Sequence, residues 1–215
     1  MKSLLKKTIV LVMYLWSRLY SFKHSQWFIG KRNWLYTLWL RNFLGEVGEN
    51  AHFNYPIRLQ GGGNRRIHIG ARTHVGAFCV LGSWESYGKD ESYNPEIIIG
   101  SDCSIGEFCH LSAINKIIIG DGLLTGRFVY IGDNAHGGLS YDEANIPPGK
   151  RKLISKGKIV IGNNVWIGDK ATILGGVSIG NNVIVAANTV VTKDCPNNSI
   201  IAGIPGKVVK QIKSV

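Results

Sequence analysis

Acidic side chains are scarce in this 215-residue chain: 14 Asp and Glu stand against 25 Lys and Arg, a formal net charge of +11. Proline is scarce too, at 6 residues, and charged residues make up only 18% of the chain. With 45% hydrophobic residues, that composition excludes a disordered or proline-rich linker and fits a folded protein. The four cysteines, Cys79, Cys103, Cys109 and Cys195, form no Cys-x-x-Cys pair, which argues against a zinc ribbon. The apolar run near the N-terminus, Thr8–Trp16, has nine residues, well short of the ~20 that a membrane-spanning helix needs. Arg18 follows closely and no small-residue cleavage site appears, so the run reads as an amphipathic or packed helix, not an export signal.

The basic excess is uneven. Residues 1–50 carry eight Lys and Arg against Glu46 and Glu49, a net of +6. Such a charge favours an anionic partner; nucleic acid has nothing but net charge in its favour and is not expected. We read residues 1–50 as a helical, basic and aromatic appendage. Asn33 is expected to cap a helix over Trp34–Leu44, ended by Gly45. Trp27, Trp34 and Trp39 lie among Lys31, Arg32 and Arg41. Short helices need tertiary support, so these aromatics are expected to pack on the main domain or on another subunit. Docking on an anionic membrane is the alternative. Residues 51–66 read as a transition, with a turn at Gly61-Gly62-Gly63.

Glycine is abundant, at 27 residues, and points to many tight corners and internal repeats. From Ile67 a six-residue period runs through the chain. Units open at Ile69 and Val75, at Ile99, Ile105 and Leu111, at Ile119, Thr125 and Ile131, and at Ile161, Ile167, Ile173, Ile179, Val185 and Val191. Two of them read Ile161-Gly-Asn-Asn-Val-Trp and Ile179-Gly-Asn-Asn-Val-Ile. Each unit is a short strand and a corner: the aliphatic faces inward, and Gly, Asn or Asp takes the corner angles. Three units close a triangular coil, stable only when stacked on others. The fifth position should also face inward, and it holds Thr73, Asn115, Val129, Ala135, Val165, Ala171, Val177, Val183, Thr189 and all four cysteines. The cysteines are therefore expected to be small core residues. Residues 51–215 form this domain, interrupted at 83–96 and 137–158; long insertions in a regular scaffold tend to carry function.

Three segments carry a resemblance to the hexapeptide-repeat acyltransferases: Ala113–Asp121, Ile131-Gly-Asp-Asn-Ala-His136-Gly, and Lys158 through Ala202-Gly-Ile-Pro-Gly-Lys207. Within that family the chain is most similar to sugar O-acetyltransferases, and above all to those acting on bacterial surface polysaccharides. The resemblance implies an all-β fold, a left-handed parallel β-helix, here with an N-terminal helical appendage. It implies acetyl transfer from acetyl-CoA to a hydroxyl of a sugar or glycan precursor, with His136 as general base. An imidazole suits that task, because it takes a proton near neutral pH as the hydroxyl attacks the thioester. By matching positions, coenzyme A contacts fall on Asp169, Ala187, Thr192, Lys193, Lys207 and Lys210; Asp169 replaces the family's usual serine. No metal is required. The acceptor contacts of the galactoside and maltose enzymes match Gly106 and Ile114 here, so a glycan precursor, possible in lipid-linked form, fits better than a free small sugar.

The resemblance also implies a homotrimer with sites at subunit interfaces, and acetyl-CoA implies a cytoplasmic location, peripheral at most to the inner face of a membrane. The remaining histidines, 24, 52, 68, 74 and 110, read as structural or surface residues. His110 is placed on a different side of the triangle from His136. Two rival readings remain. A γ-carbonic-anhydrase-like metalloenzyme would use His74 and His110, but its third ligand position holds Asn115. A non-catalytic β-helix scaffold would keep the fold without the chemistry.

Overall fold

The computed structural model describes residues 2–88, 91–138 and 140–212. The hexads fold as stacked coils around a prism with three faces. The first face is built from Ile67–Ile69, Glu96–Ile99, Lys116–Ile119, Ile159–Ile161 and Ser178–Ile179. The second holds His52–Phe53, His74–Val75, Ser104–Ile105, Leu124–Thr125, Trp166–Ile167, Ile184–Val185 and Ser199–Ala202, and is closed by Lys207–Gln211. The third holds Arg58–Gln60, Val80–Ser83, His110–Ala113, Tyr130–Gly132, Thr172–Leu174 and Val190–Val191. Pairing between coils is parallel and in strict register, as in Ile99 on Ile119 on Ile161 on Ile179. Among the described strands of the three faces, only the last, Lys207–Gln211, runs antiparallel to its neighbour.

The inward registers follow the hexad. All the unit-opening residues are buried, Thr125 among them. So are Thr73, Val129, Val165, Ala171, Val177, Val183, Thr189 and the four cysteines at the fifth position, and the four thiols are free. Burial pushes the Cys103 thiol up and the Cys195 thiol up to about 11, which keeps both protonated and unreactive at neutral pH. Asn115 and Ala135 depart from the expectation and are exposed. Both sit where the third face turns toward the first. There the chain leaves the hexad path, and the inward register is lost.

The recurring Gly-Asn-Asn is explained by two separate tasks. The first amide or carboxylate reaches across to the coil before it. Asp121 accepts from the Ser101 N–H at 2.7 Å, Asn163 from Asp121 at 2.8 Å, Asn181 from Asn163 at 2.7 Å, and Asn197 from Asn181 at 2.8 Å. The next residue takes the left-handed backbone region, with φ of 55° at Asn164, Asn182 and Asn198, which asparagine tolerates at low cost. At the corner between the second and third faces the same region is held by Phe78, Phe108 and Phe128. Their rings stack at 4.9 Å from one coil to the next, which offsets part of that strain.

The stack begins before the period is legible. Val47 already bridges to Ile69, and Phe53 and Leu59 lie beneath Val75 and Leu81, so residues 51–66 form a first coil and not a transition. That coil has an open edge. Helix α1 spans Lys2–Leu19 and helix α2 spans Phe22–Leu40, capped by Ser21, whose hydroxyl accepts from the His24 N–H. Asn33 is therefore not a cap, as the local sequence suggests, but a buried residue inside α2. It belongs to a stripe that satisfies the edge. The Thr37 hydroxyl accepts from the Phe53 N–H at 3.0 Å, the Asn33 side-chain Oδ1 from the Tyr55 N–H at 3.2 Å, and the Tyr36 hydroxyl from the Ile57 N–H at 2.9 Å. Alternate residues of an edge strand point their N–H groups outward, and α2 answers three of them in turn.

Removing one such partner leaves a buried donor unsatisfied. Thr37→Val is expected to destabilise the chain by about 1–3 kcal/mol, with the Phe53 amide losing hydrogen-exchange protection ahead of the amides of the central coils.

Candidate active site

Both insertions leave the prism from the same edge, where the third face turns toward the first, two coils apart. After Gly132 the chain turns outward as Asn134–His136 and returns as Leu153–Ser155, an antiparallel pair with His136 opposite Leu153. Asp133 sets the direction of departure. It is only 1% exposed, and its carboxylate accepts from the N–H groups of Ile114 at 2.9 Å and Asn115 at 3.0 Å in the coil below. Burial pushes the Asp133 carboxyl above the usual carboxylate range, and those amide bonds pull it partly back. Gly175 passes directly above, in the next coil: a Cβ there would stand 2.9 Å from the Asp133 carbonyl oxygen, so the column closes only over glycine.

The earlier insertion props this hairpin from the side. The Tyr93 hydroxyl accepts from the Leu153 N–H at 3.1 Å and lies 3.2 Å from its carbonyl. The Tyr87 hydroxyl donates to the Gly149 carbonyl at 3.1 Å, and Lys152 pairs with Glu91 at 2.8 Å. Trp84 and Tyr87 then wall a cavity of about 180 Å³ together with His110, Ser112, Tyr130, Asn134, His136 and Leu153. The Tyr87 ring meets His136 edge-on at 5.2 Å between centroids. His110 is thus not remote from His136, as hexad counting implies. It stands at the start of a third-face strand, in register with Tyr130, while the hairpin folds His136 back over the same face. Burial pushes the His110 imidazole below the usual histidine range, and its Nε2 is buried without a partner among the described residues.

Successive residues of a strand face opposite ways. A second cavity of about 390 Å³ lies across the same strand, lined by Gly132, Asp133, Asn134, Ala135, Gly137, Gly138, Ile154, Lys156, Leu174 and Gly175. Its walls are backbone, small residues and aliphatic side chains, with Asp133, Asn134 and Lys156 as the polar members. They suit a narrow, chain-like ligand better than a ring.

The other residues picked out by the sequence are spread over the upper coils. Asp169 and Ala187 stack at the corner between the second and third faces, and the Asp169 carboxylate accepts from the Arg127 N–H at 2.8 Å. Thr192 and Lys193 lie at the opposite end of the third face, in the column above Leu174 and Gly175. Lys207 and Lys210 project from the closing strand on the second face. All six are exposed, and none lines either cavity. Gly106 ends a second-face strand, and Ile114 is buried under Asp133. His74 lies on the second face and His110 on the third, and among the described residues no three His, Cys, Asp or Glu side chains converge as metal ligands.

Trp84, Tyr87, Tyr93 and Asp133 are not marked as site residues by the sequence, and His110 enters there only through the rival metal reading. The shared departure point of the two insertions was the available signal, since counting hexads puts both at the same edge.

Residues 158–193 match the family profile described as bacterial transferase hexapeptide (six repeats). Over 108 residues the chain is 40% identical to the Escherichia coli (strain K12) protein WbbJ, whose name assigns it provisionally to lipopolysaccharide biosynthesis as an O-acetyl transferase. That match covers 48% of this chain and 55% of WbbJ. A further 54 residues-long match, 50% identical, covers 25% of this chain and 27% of the galactoside O-acetyltransferase of the same organism. The chain thus spans about half or less of these curated relatives. In structure it resembles a maltose O-acetyltransferase from Clostridium difficile 630, with a TM-score of 0.53 and 27% identity, over 81% of this chain and 73% of that one.

Two outcomes are expected from this geometry. Asp133→Ala orphans the buried Ile114 N–H, costs about 1–3 kcal/mol, and displaces His136, whereas Asp133→Asn keeps one carbonyl acceptor and loses less. Denaturant midpoints and the near-ultraviolet signal of the flanking aromatics read both effects. His110 also links stability to pH. Its folded pKa is lowered, so the unfolded chain takes up the proton first as pH falls below about 6.5. Stability is expected to fall on that acid side, His74 adding to the loss because burial lowers it likewise. His110→Gln should flatten the dependence in denaturation curves taken above and below that pH.

The prism is a left-handed parallel β-helix, residues 158–193 carry bacterial transferase hexapeptide repeats, and relatives in sequence bear the names of O- and N-acetyltransferases.

Proposed function

We propose that this chain is an acetyl-CoA-dependent O-acetyltransferase that acylates a hydroxyl of a sugar or glycan precursor by direct transfer, with His136 as general base. The observation that carries the reading is the strand Asn134–His136, which has an aromatic, ring-sized cavity on one side and a backbone-lined channel on the other. A base at that position stands between an acceptor and a chain-like donor. Acetyl-CoA supplies the acyl group as an activated thioester. His136 takes the proton from the acceptor hydroxyl as the oxygen–carbon bond forms and the carbon–sulfur bond breaks, then returns it to the departing sulfur. Trp84, Tyr87 and Tyr130 offer the apolar faces on which a sugar ring rests, and His110 offers a second polar contact for one of its hydroxyls.

In the channel, Lys156 and the backbone of Gly137 and Gly138 flank the donor's path. Asp169 and Ala187 stand at one end of the third face and Thr192 and Lys193 at the other. The donor lies between neighbouring copies in a homotrimer, with Lys207 and Lys210 supplying charge for its nucleotide phosphates. No catalytic step in this scheme calls for a metal. The use of acetyl-CoA places the reaction in the cytoplasm.

His136→Ala is expected to bind acetyl-CoA as the wild type does and to lose acetyl transfer by about 10²–10⁴-fold, measured calorimetrically and by thiol release against a panel of free and lipid-linked glycans. Transfer that survives the substitution would overturn the base assignment; no binding of acetyl-CoA by the wild type would overturn the whole reading.

A further inference from the structure

The two N-terminal helices show an arrangement opposite to that of a helix on a soluble protein. The face of α2 turned toward the prism carries Asn33, Tyr36 and Thr37, which satisfy an open strand edge, and only Leu40 of its large aliphatic residues enters the core. Its outer side carries Trp27, Phe28, Trp34, Leu35, Leu38 and Trp39, each at least two-fifths exposed. Helix α1 goes further. Every large apolar residue from Leu4 to Trp16 is more than half exposed, and the unbroken run Ile9–Trp16 covers more than two turns, so the apolar surface goes all the way round. A helix apolar on all sides is stable only when something other than water surrounds it.

Charge selects the partner. Residues 3–45 hold Lys6, Lys7, Arg18, Lys23, Lys31, Arg32 and Arg41 and no acidic residue. All seven are exposed. Two copies of so positive a surface repel one another, whereas an anionic bilayer attracts it at roughly 1 kcal/mol per basic residue near the surface. Lys6 and Lys7 precede the apolar stretch and Arg18 follows it, leaving about 10 residues or ~15 Å of helix between them, half of a hydrocarbon core. No helix among the described residues is long and apolar enough to cross a membrane. On α2 the tryptophans sit beside cations, with the Lys31 ammonium 5.6 Å from the centre of the Trp27 ring, a pairing suited to the headgroup level.

We infer that the α1–α2 segment docks in the plane of an anionic lipid bilayer, holding the β-helix at the membrane surface. This docking does not depend on the proposed acetyl transfer. Its partner is the lipid surface itself, and α2 serves both sides: its polar stripe closes the prism while its outer face enters the interface.

The test uses the full chain and sedimentation with phosphatidylcholine vesicles, with and without phosphatidylglycerol. Partition is expected to be at least about tenfold greater on the anionic vesicles and to fall with added salt. Lys6→Glu with Lys7→Glu should reduce it about tenfold or more, and Leu11→Glu with Leu15→Glu should abolish it. Neither pair touches Asn33, Tyr36 or Thr37, so thermal unfolding should be unchanged. Acetyl-CoA binding, measured in parallel, separates a failure here from a failure of the proposed chemistry. Absence of sedimentation, equal partition on neutral vesicles, or binding that survives Leu11→Glu with Leu15→Glu would each overturn the inference. An assembly in solution that these two substitutions dissolve, without vesicle binding, would give the face to a second copy and overturn it as well.

Discussion

A stack of parallel coils has two open ends, and the rest of this structure follows from how they are closed. Inside the stack each backbone donor and acceptor is met by the coil above or below, and side chains such as Asn163 and Asn181 answer the corner N–H groups that strands miss. At the last coil the chain folds back on itself through Lys207–Gln211. At the first coil no strand is available, so a helix supplies oxygens at the spacing of an edge strand. Thr37, Asn33 and Tyr36 meet Phe53, Tyr55 and Ile57, and that requirement forces polar residues onto the inner side of α2. Its large apolar residues other than Leu40 are then left largely outside. The exposed apolar side of α2 is therefore a consequence of capping a β-helix.

The same saturation explains the location of the candidate chemistry. A prism interior filled mostly by small and branched aliphatic residues leaves little room for a site. The two cavities beside Asn134–His136 lie where the chain leaves the hexad path. Both departures use one edge, and Asp133 anchors the later one to Ile114 and Asn115. His136 owes its place to a hairpin that is itself held by Tyr87 and Tyr93 from the earlier insertion.

The repeat was legible in the sequence because its physics is local and periodic. Ile161, Ile167 and Ile173 had to face inward in any stacked arrangement, and the cysteines at the fifth register were readable as core for the same reason. The first coil was not legible, since Val47, Phe53 and Leu59 are interrupted by Tyr55-Pro56 and by the glycine turn. Asn33 misled because a polar residue ahead of an apolar stretch has the look of a cap, while its true partner, the Tyr55 N–H, lies 22 residues away. Asn115 and Ala135 misled because a hexad count cannot register a departing chain. His136 was identified through its motif; its neighbours Trp84, Tyr87 and His110 come from other coils and needed the three-dimensional path.

That division bears on where acceptor specificity resides. The coil positions are constrained by register: a change at an inward site alters packing in two neighbouring coils, and a change at a corner loses a clamp. Residues 84–96 and 137–158 carry no such constraint, yet they provide Trp84, Tyr87, Lys156 and the strand opposite His136. Chains that share the hexad frame are then free to differ in acceptor without a change of fold. The likeness to relatives is most secure over 158–193, which is repeat and corner, and that segment contributes only Leu174 and Gly175 to the two cavities. The recognisable part of this chain therefore reports the scaffold. Under the proposed function, acceptor choice falls to the two aperiodic insertions, where Trp84 and Tyr87 line one cavity and Ile154 and Lys156 the other.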